Sequence, residues 1–144
     1  MSAGMPTKEL AAAYEATYFV VLTEPARSFV VGEAASTVAP WLAAMGAPRA
    51  VIITAWNPFS QLTSDADNAV RQDALCRAML DAGARWLPAE GRDPTGTWRP
   101  EPSFCVLDPS AETVDSWLVV FEQNAVVQLD NTSGCSLVWH PACR

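Results

Sequence analysis

The sequence predicts an α/β domain of the α+β type, in which a mixed, largely antiparallel sheet of about six strands carries three main helices. Three observations point to it. Two strand-like segments follow one another without an intervening helix near the start of the chain, residues 17–22 and 28–31. Two more do so near its end, residues 125–129 and 136–140, and a purely parallel doubly wound sheet leaves no room for either pair. Finally, the chain has 144 residues, half of them apolar, enough to bury one sizeable core without staples.

In order, residues 1–13 read as an N-terminal tail and the opening of a short Ala-rich helix over 9–16, and residues 14–140 as a single globular domain. The strand at 17–22 turns through Glu24-Pro25-Ala26-Arg27 into its hairpin partner. Ser36 or Thr37 caps the next helix, with Pro40 tolerated in its first turn; Trp41, Leu42 and Met45 are its buried stripe and Gly46 its end. The apolar, β-branched run Ala50-Val51-Ile52-Ile53 is a central strand that breaks into the polar loop Thr54-Ala55-Trp56-Asn57-Pro58-Phe59-Ser60.

A helix over residues 65–82 follows, capped by Ser64, with Asp65 and Asp67 where negative charge suits the helix dipole. Leu75, Cys76, Met79 and Leu80 form its buried arc, and stepping back along that arc by threes and fours reaches Gln72, Ala69 and Asn68. Two amides therefore face inward beside the loop, either bracing it or facing a polar cavity.

After Gly83, residues 85–88 form a short strand leading into a loop over 89–98 that carries Glu90, Arg92 and Asp93. Arg99-Pro100-Glu101-Pro102 holds the approach to a strand over 103–107 extended, and alternation puts Glu101 and Ser103 on one side of it. Asp108-Pro109-Ser110 caps a third helix, whose Val114, Trp117, Leu118 and Phe121 keep helical spacing up to Glu122-Gln123-Asn124. The last two strands form a hairpin through Asp130-Asn131-Thr132-Ser133-Gly134.

Composition sets limits on function. Nine basic against sixteen acidic side chains give a net charge of -7, spread along the chain, which disfavours nucleic acid and anionic membranes as partners. No run approaches the roughly 18 uninterrupted apolar residues of a membrane span, and residues 1–8 lack a secretory pattern, so a cytoplasmic protein is expected. The four cysteines are widely spaced, as buried thiols in a reducing compartment are. No cofactor-binding motif is present, and Cys135, His140 and Cys143 are a weak basis for a metal site. His140, the one histidine, sits at the chain end, so no nucleophile–histidine constellation can be assembled.

The residues Ile53-Thr54-Ala55-Trp56-Asn57-Pro58-Phe59-Ser60, Asn68 with Arg71, Trp86, Pro100-Glu101-Pro102-Ser103-Phe104 and Phe121-Glu122-Gln123-Asn124-Ala125 together resemble a bacterial family known as domain of unknown function 3293, over about residues 14–139. The resemblance implies no activity. It implies a polar signature of Thr54, Asn57, Ser60, Asn68, Arg71, Glu101, Ser103 and Gln123, and the chain departs from the family pattern at Ala89, where members often carry Gly before the acidic residue matching Glu90.

Three functions are compatible with these residues. The first is a domain binding a small polar or anionic, nucleotide-like ligand through Thr54, Asn57, Ser60, Asn68, Arg71, Ser103 and Gln123, which requires their convergence on one pocket. The second is a hydrolase or transferase with Glu101 or Glu90 as general base, Arg71 on an anionic group and Asn57 or Gln123 orienting the substrate. In the third, an interaction module, the signature is a hydrogen-bonded brace and an exposed apolar patch near some of the six tryptophans meets a partner.

Overall fold

Residues 7–144 are described in a computed structural model; of the tail and short helix expected over residues 1–13, the first six residues lie outside them. The chain runs α1 (Lys8–Ala16), β1 (Tyr18–Val21), β2 (Arg27–Phe29), α2 (Ala35–Met45), β3 (Arg49–Ile53), α3 (Asp65–Asp81), β4 (Arg85–Arg92), β5 (Glu101–Leu107), α4 (Ala111–Val120), β6 (Ala125–Asp130) and β7 (Gly134–Trp139). Two short 3₁₀ turns, Pro58–Ser60 and Pro141–Cys143, complete it. The strands form one sheet in the order β2-β1-β4-β5-β3-β6-β7, and every neighbouring pair is antiparallel. That is an α+β domain with one strand more than the expected six.

Side-chain alternation along the strands divides the core in two. Ala50 and Ile52 of β3, Cys105 of β5, and Val127 and Leu129 of β6 face α2, whose Val38 and Leu42 complete that layer. Val51, Ile53, Val106 and Val126 face the other way, onto Leu75 and Met79 of α3 and Val114, Trp117 and Leu118 of α4. The two edges of the sheet also meet. Gly32 N–H donates to the Cys135 carbonyl and Cys135 N–H to the Glu33 carbonyl, both at 2.9 Å, so the chain leaving β2 docks on β7 and the sheet curls around the α2 face. This approach needs a glycine at position 134, where φ is +85° and a Cβ would stand 2.2 Å from the Glu33 carbonyl oxygen.

Several local expectations require correction. The strand expected over 85–88 continues to Arg92, taking four residues of the expected loop, because Ala89 through Arg92 pair with β1 and Ala89 through Gly91 with β5. Helix α2 begins at Ala35 with no side-chain cap, so Ser36 and Thr37 lie inside it and Pro40 falls in its second turn; the Thr37 hydroxyl bonds instead to Glu33 and the Ala34 carbonyl. Leu80, assigned to the buried arc of α3, is 64% exposed, since that helix buries a narrow stripe of Leu75 and Met79 beside the inward Asn68. The caps Ser64 and Ser110 and the left-handed stop at Gly46 stand as expected. No helix among the described residues is long and apolar enough to cross a membrane.

Candidate functional site

The α2 layer fills one end of the curled face. At the other end lies a cavity of about 390 Å³. Its floor is the inward-facing set of the sheet: Phe19 of β1, Ile52 of β3, Gly91 of β4, Glu101 and Ser103 of β5, Ala125 and Val127 of β6. Helix α1 forms one wall through Leu10, Ala13 and Tyr14; the β4–β5 connection contributes Asp93 and Trp98, and the loop after β3 contributes Thr54, Trp56, Asn57 and Ser60.

That loop is held in an unusual conformation by α3. Asn57, Phe59 and Ser60 all have left-handed backbones, with φ of 47°, 50° and 62°. None is glycine, and such conformations persist only where surroundings enforce them. Asn68 Oδ1 accepts from Asn57 N–H at 2.9 Å, and its Nδ2 donates to Asn57 Oδ1 at 3.0 Å. Gln72 Oε1 accepts from Ala55 N–H at 2.9 Å, and its Nε2 donates to the Pro102 carbonyl at 3.1 Å, where the Thr54 hydroxyl also donates at 2.7 Å. Arg71 spans the gap to the end of α4: its Nε donates to the Ala55 carbonyl at 2.9 Å and its Nη2 to the Phe121 carbonyl at 2.6 Å, while Nη1 meets the Glu122 carboxylate at 3.3 Å. Glu122, also left-handed with φ of 53°, accepts the Phe59 N–H at 2.6 Å through its backbone carbonyl.

The bracing fixes which polar atoms remain for the cavity. Asn57 Oδ1 accepts from Asn68 and from Thr63 N–H, which leaves its Nδ2 as the spare donor. Gln123 is only 5% exposed, and its Nε2 donates to the carbonyls of Trp56 and Phe121, both at 3.1 Å, leaving Oε1 as the spare acceptor. Ser103 Oγ donates to the Glu101 carbonyl at 3.2 Å. The Tyr14 hydroxyl is hydrogen-bonded to Ser60 and to the backbone of Ala125, and Ser60 Oγ accepts from Asn124 Nδ2 at 3.0 Å. Burial, with the Glu101 charge added to it, pushes the Tyr14 phenol up to about 12.

Glu101 differs from all of these. Among the described residues no hydrogen bond or ion pair reaches its carboxylate, and burial alone pushes its pKa from 4.5 up to about 7. A carboxyl in that condition holds and releases a proton near neutrality and attracts a positive partner. Asp93, on the same cavity, is the opposite case. The cost of its burial is outweighed by hydrogen bonds from Thr95 and Thr97, which hold it below the usual carboxylate value.

Of the residues singled out in the sequence, Thr54, Asn57, Ser60, Glu101, Ser103 and Gln123 line this one cavity. Asn68 and Arg71 do not: both are spent on the loop from behind. Glu90 points to the other face of β4 and pairs with Arg92. Tyr14, Trp56, Asp93 and Trp98 are lining residues that the sequence did not single out. The family pattern already contained Trp56; the other three reach the cavity through the placement of α1 and the β4–β5 connection, which leave no local signal. No Lys, Arg or His lines the cavity among the described residues. Nor do three His, Cys, Asp or Glu side chains group there in a way that could hold a metal ion.

A family described as "Protein of unknown function (DUF3293)" has a model that matches residues 53–126, just over half of the chain. The match starts at the end of β3 and takes in the loop, its α3 braces, Glu101, Ser103 and Gln123. No curated protein and no solved structure matches.

Proposed function

We propose that this chain, which belongs to the DUF3293 family of proteins of unknown function, binds a small polar ligand in the cavity behind the Thr54–Ser60 loop, with Glu101 as the central recognition group. The observation that carries the reading is the Glu101 carboxyl, half-buried on the cavity floor with no hydrogen bond or ion pair from the described residues. Partial burial strips hydration from such a group, and a ligand that bonds to it replaces the water it has lost. Asn57 Nδ2 and Gln123 Oε1 supply one further donor and one further acceptor. Asn68, Arg71 and Gln72 serve as positioning residues that hold the strained loop. An anionic or nucleotide-like ligand is the poorer fit, because Arg71 is committed to backbone carbonyls.

A second reading rests on the same carboxyl. With a pKa near 7, Glu101 suits general acid–base catalysis, as a hydrolase or transferase requires, and Glu90 on the opposite face is no part of it. The cytoplasm is the compartment we assign: Cys76, Cys105 and Cys135 form no disulfide, and burial pushes the Cys105 thiol up to about 12, out of the reactive range.

Thermal unfolding of the wild type and of Glu101→Gln against a panel of amines, sugars, nucleosides and carboxylates is the test. A compound that raises the wild-type midpoint and leaves the variant unmoved supports the ligand site. Incubating the hits and following their masses separates the two readings: conversion by the wild type and not by Glu101→Gln favours catalysis, and unchanged compounds favour binding. A panel without a single wild-type shift removes both.

A further inference from the structure

We infer that the ligand of this cavity is an organic cation, a small molecule with a protonated amine on an apolar or aromatic body; the inference rests on the ligand-site reading above.

A census of donors and acceptors in the cavity favours a cation. An ammonium group offers three donors and accepts nothing. The hydroxyl of Thr54 and that of Ser103 already donate to the carbonyls of Pro102 and Glu101, and the Gln123 amide nitrogen donates to two more. The side chains facing the cavity keep acceptors unspent at both Glu101 carboxylate oxygens and at Gln123 Oε1, and donors at Asn57 Nδ2 and the indole N–H groups of Trp56 and Trp98; all of these are neutral except the Glu101 carboxylate, which sets the charge a ligand must match. Gln123 is more than nine-tenths buried and is held with that oxygen as its one unbonded polar atom.

Charge and shape agree with the census. Asp93 adds a second carboxylate to the lining and no basic side chain offsets either. Tyr14, Trp56 and Trp98 contribute aromatic rings, which attract cations through their faces, while Phe19, Ile52 and Val127 give hydrocarbon for the body of the molecule. The whole chain, at -7, draws cations toward it. A volume of about 390 Å³ lies at the small end of ordinary ligand sites.

Cation binding by Glu101 competes with its proton. The titratable groups facing it are Tyr14 from α1, neutral through the accessible range, and Asp93 from the β4–β5 connection, ionised through it; β1, β3 and β6 present none to the cavity. Affinity for an amine therefore rises with pH through the Glu101 transition, and binding below it releases a proton.

The test uses the full chain and three matched probes, 2-phenylethylamine, 2-phenylethanol and 3-phenylpropanoate, followed by titration calorimetry and tryptophan fluorescence. The amine is expected to bind at least about 10-fold tighter than the alcohol near pH 8, and the carboxylate weakest. Amine affinity should fall roughly 10-fold between about pH 8 and pH 6, with proton release at the lower pH read from buffers of different ionisation heat. In Glu101→Gln the amine preference should shrink to less than about threefold and the pH dependence should vanish. Equal or tighter binding of the alcohol or carboxylate, a preference that survives in Glu101→Gln, or a pH-independent affinity in the wild type overturns the cation while leaving a ligand cavity in place. If no probe binds at millimolar concentration, the cation assignment falls; a panel that then also fails to shift the wild type takes the ligand-site reading with it.

Discussion

Gln72 Nε2 donates to the carbonyl of Pro102 at 3.1 Å, tying the second turn of α3 to the residue that follows Glu101. The same side chain accepts the Ala55 N–H through Oε1, so one amide sets both the loop after β3 and the start of β5. Glu101 is thus placed from behind by a residue that does not line the cavity. Gln72→Ala removes both bonds and leaves the Ala55 N–H without its acceptor. A loss of roughly 1–2 kcal/mol is expected, since the donor side of the site is partly open to water, read as a lower midpoint in urea at unchanged slope. A variant as stable as the wild type would show that the amide is no brace.

Arg71 tests the loop from its other side. Its guanidinium bonds to carbonyls of Ala55 and Phe121 that lie on different segments, a planar fork geometry that an ammonium cannot copy. Arg71→Lys should therefore lose nearly as much stability as Arg71→Ala, on the order of 2 kcal/mol each. The Glu122 contact at 3.3 Å adds little, being partly exposed. Full rescue by lysine, measured by denaturant unfolding, would assign the role to charge alone.

These braces show how far the sequence could be read. Stepping backward by threes and fours from Leu75 found Asn68 and Gln72 on the inward side, because helical periodicity is a local property of the chain. Strand alternation likewise put Glu101 and Ser103 together. What local pattern does not carry is where a distant segment lands. Tyr14 and Asp93 enter the cavity through the packing of α1 and the β4–β5 connection against the sheet. Arg71 read as an anion site because a free guanidinium and one buried against carbonyls look alike in a sequence. Strand β4 runs four residues into the loop expected over 89–98: Pro88, Gly91 and the charges around them mimic a turn, while Leu87, Ala89 and Gly91 keep the inward alternation of a strand.

Leu80 and Leu75 put a number on the misread position of α3. Helical spacing assigns both to the buried arc of α3, yet Leu75 is fully buried and Leu80 is 64% exposed. Leu75→Ala should cost about 2–5 kcal/mol by transfer and cavity formation. Leu80→Ala should fall within about 0.5 kcal/mol of the wild type, helped by the helix propensity of alanine. Thermal unfolding of the two variants side by side decides it, and a cost at Leu80 comparable with that at Leu75 would mean that this face of α3 is covered in solution.

The Glu101 carboxyl makes stability depend on pH in a direction opposite to that of a salt-bridged acid. Its folded pKa, about 7, lies above the ordinary 4.5, so the folded protein binds the proton more tightly than the unfolded chain does. Below about pH 4.5 both states are protonated and the group contributes nothing. As pH rises from about 4.5 to 7 the unfolded chain ionises first, and stability falls until the folded group has ionised too; above about pH 7 the whole penalty is present. Glu101→Gln removes that titration. The variant should match the wild type near pH 4 and exceed it near pH 8, by on the order of 2 kcal/mol after allowance for the water that reaches the cavity. Unfolding midpoints of both proteins across this range provide the measurement, and parallel curves would mean that Glu101 is solvated or paired in solution.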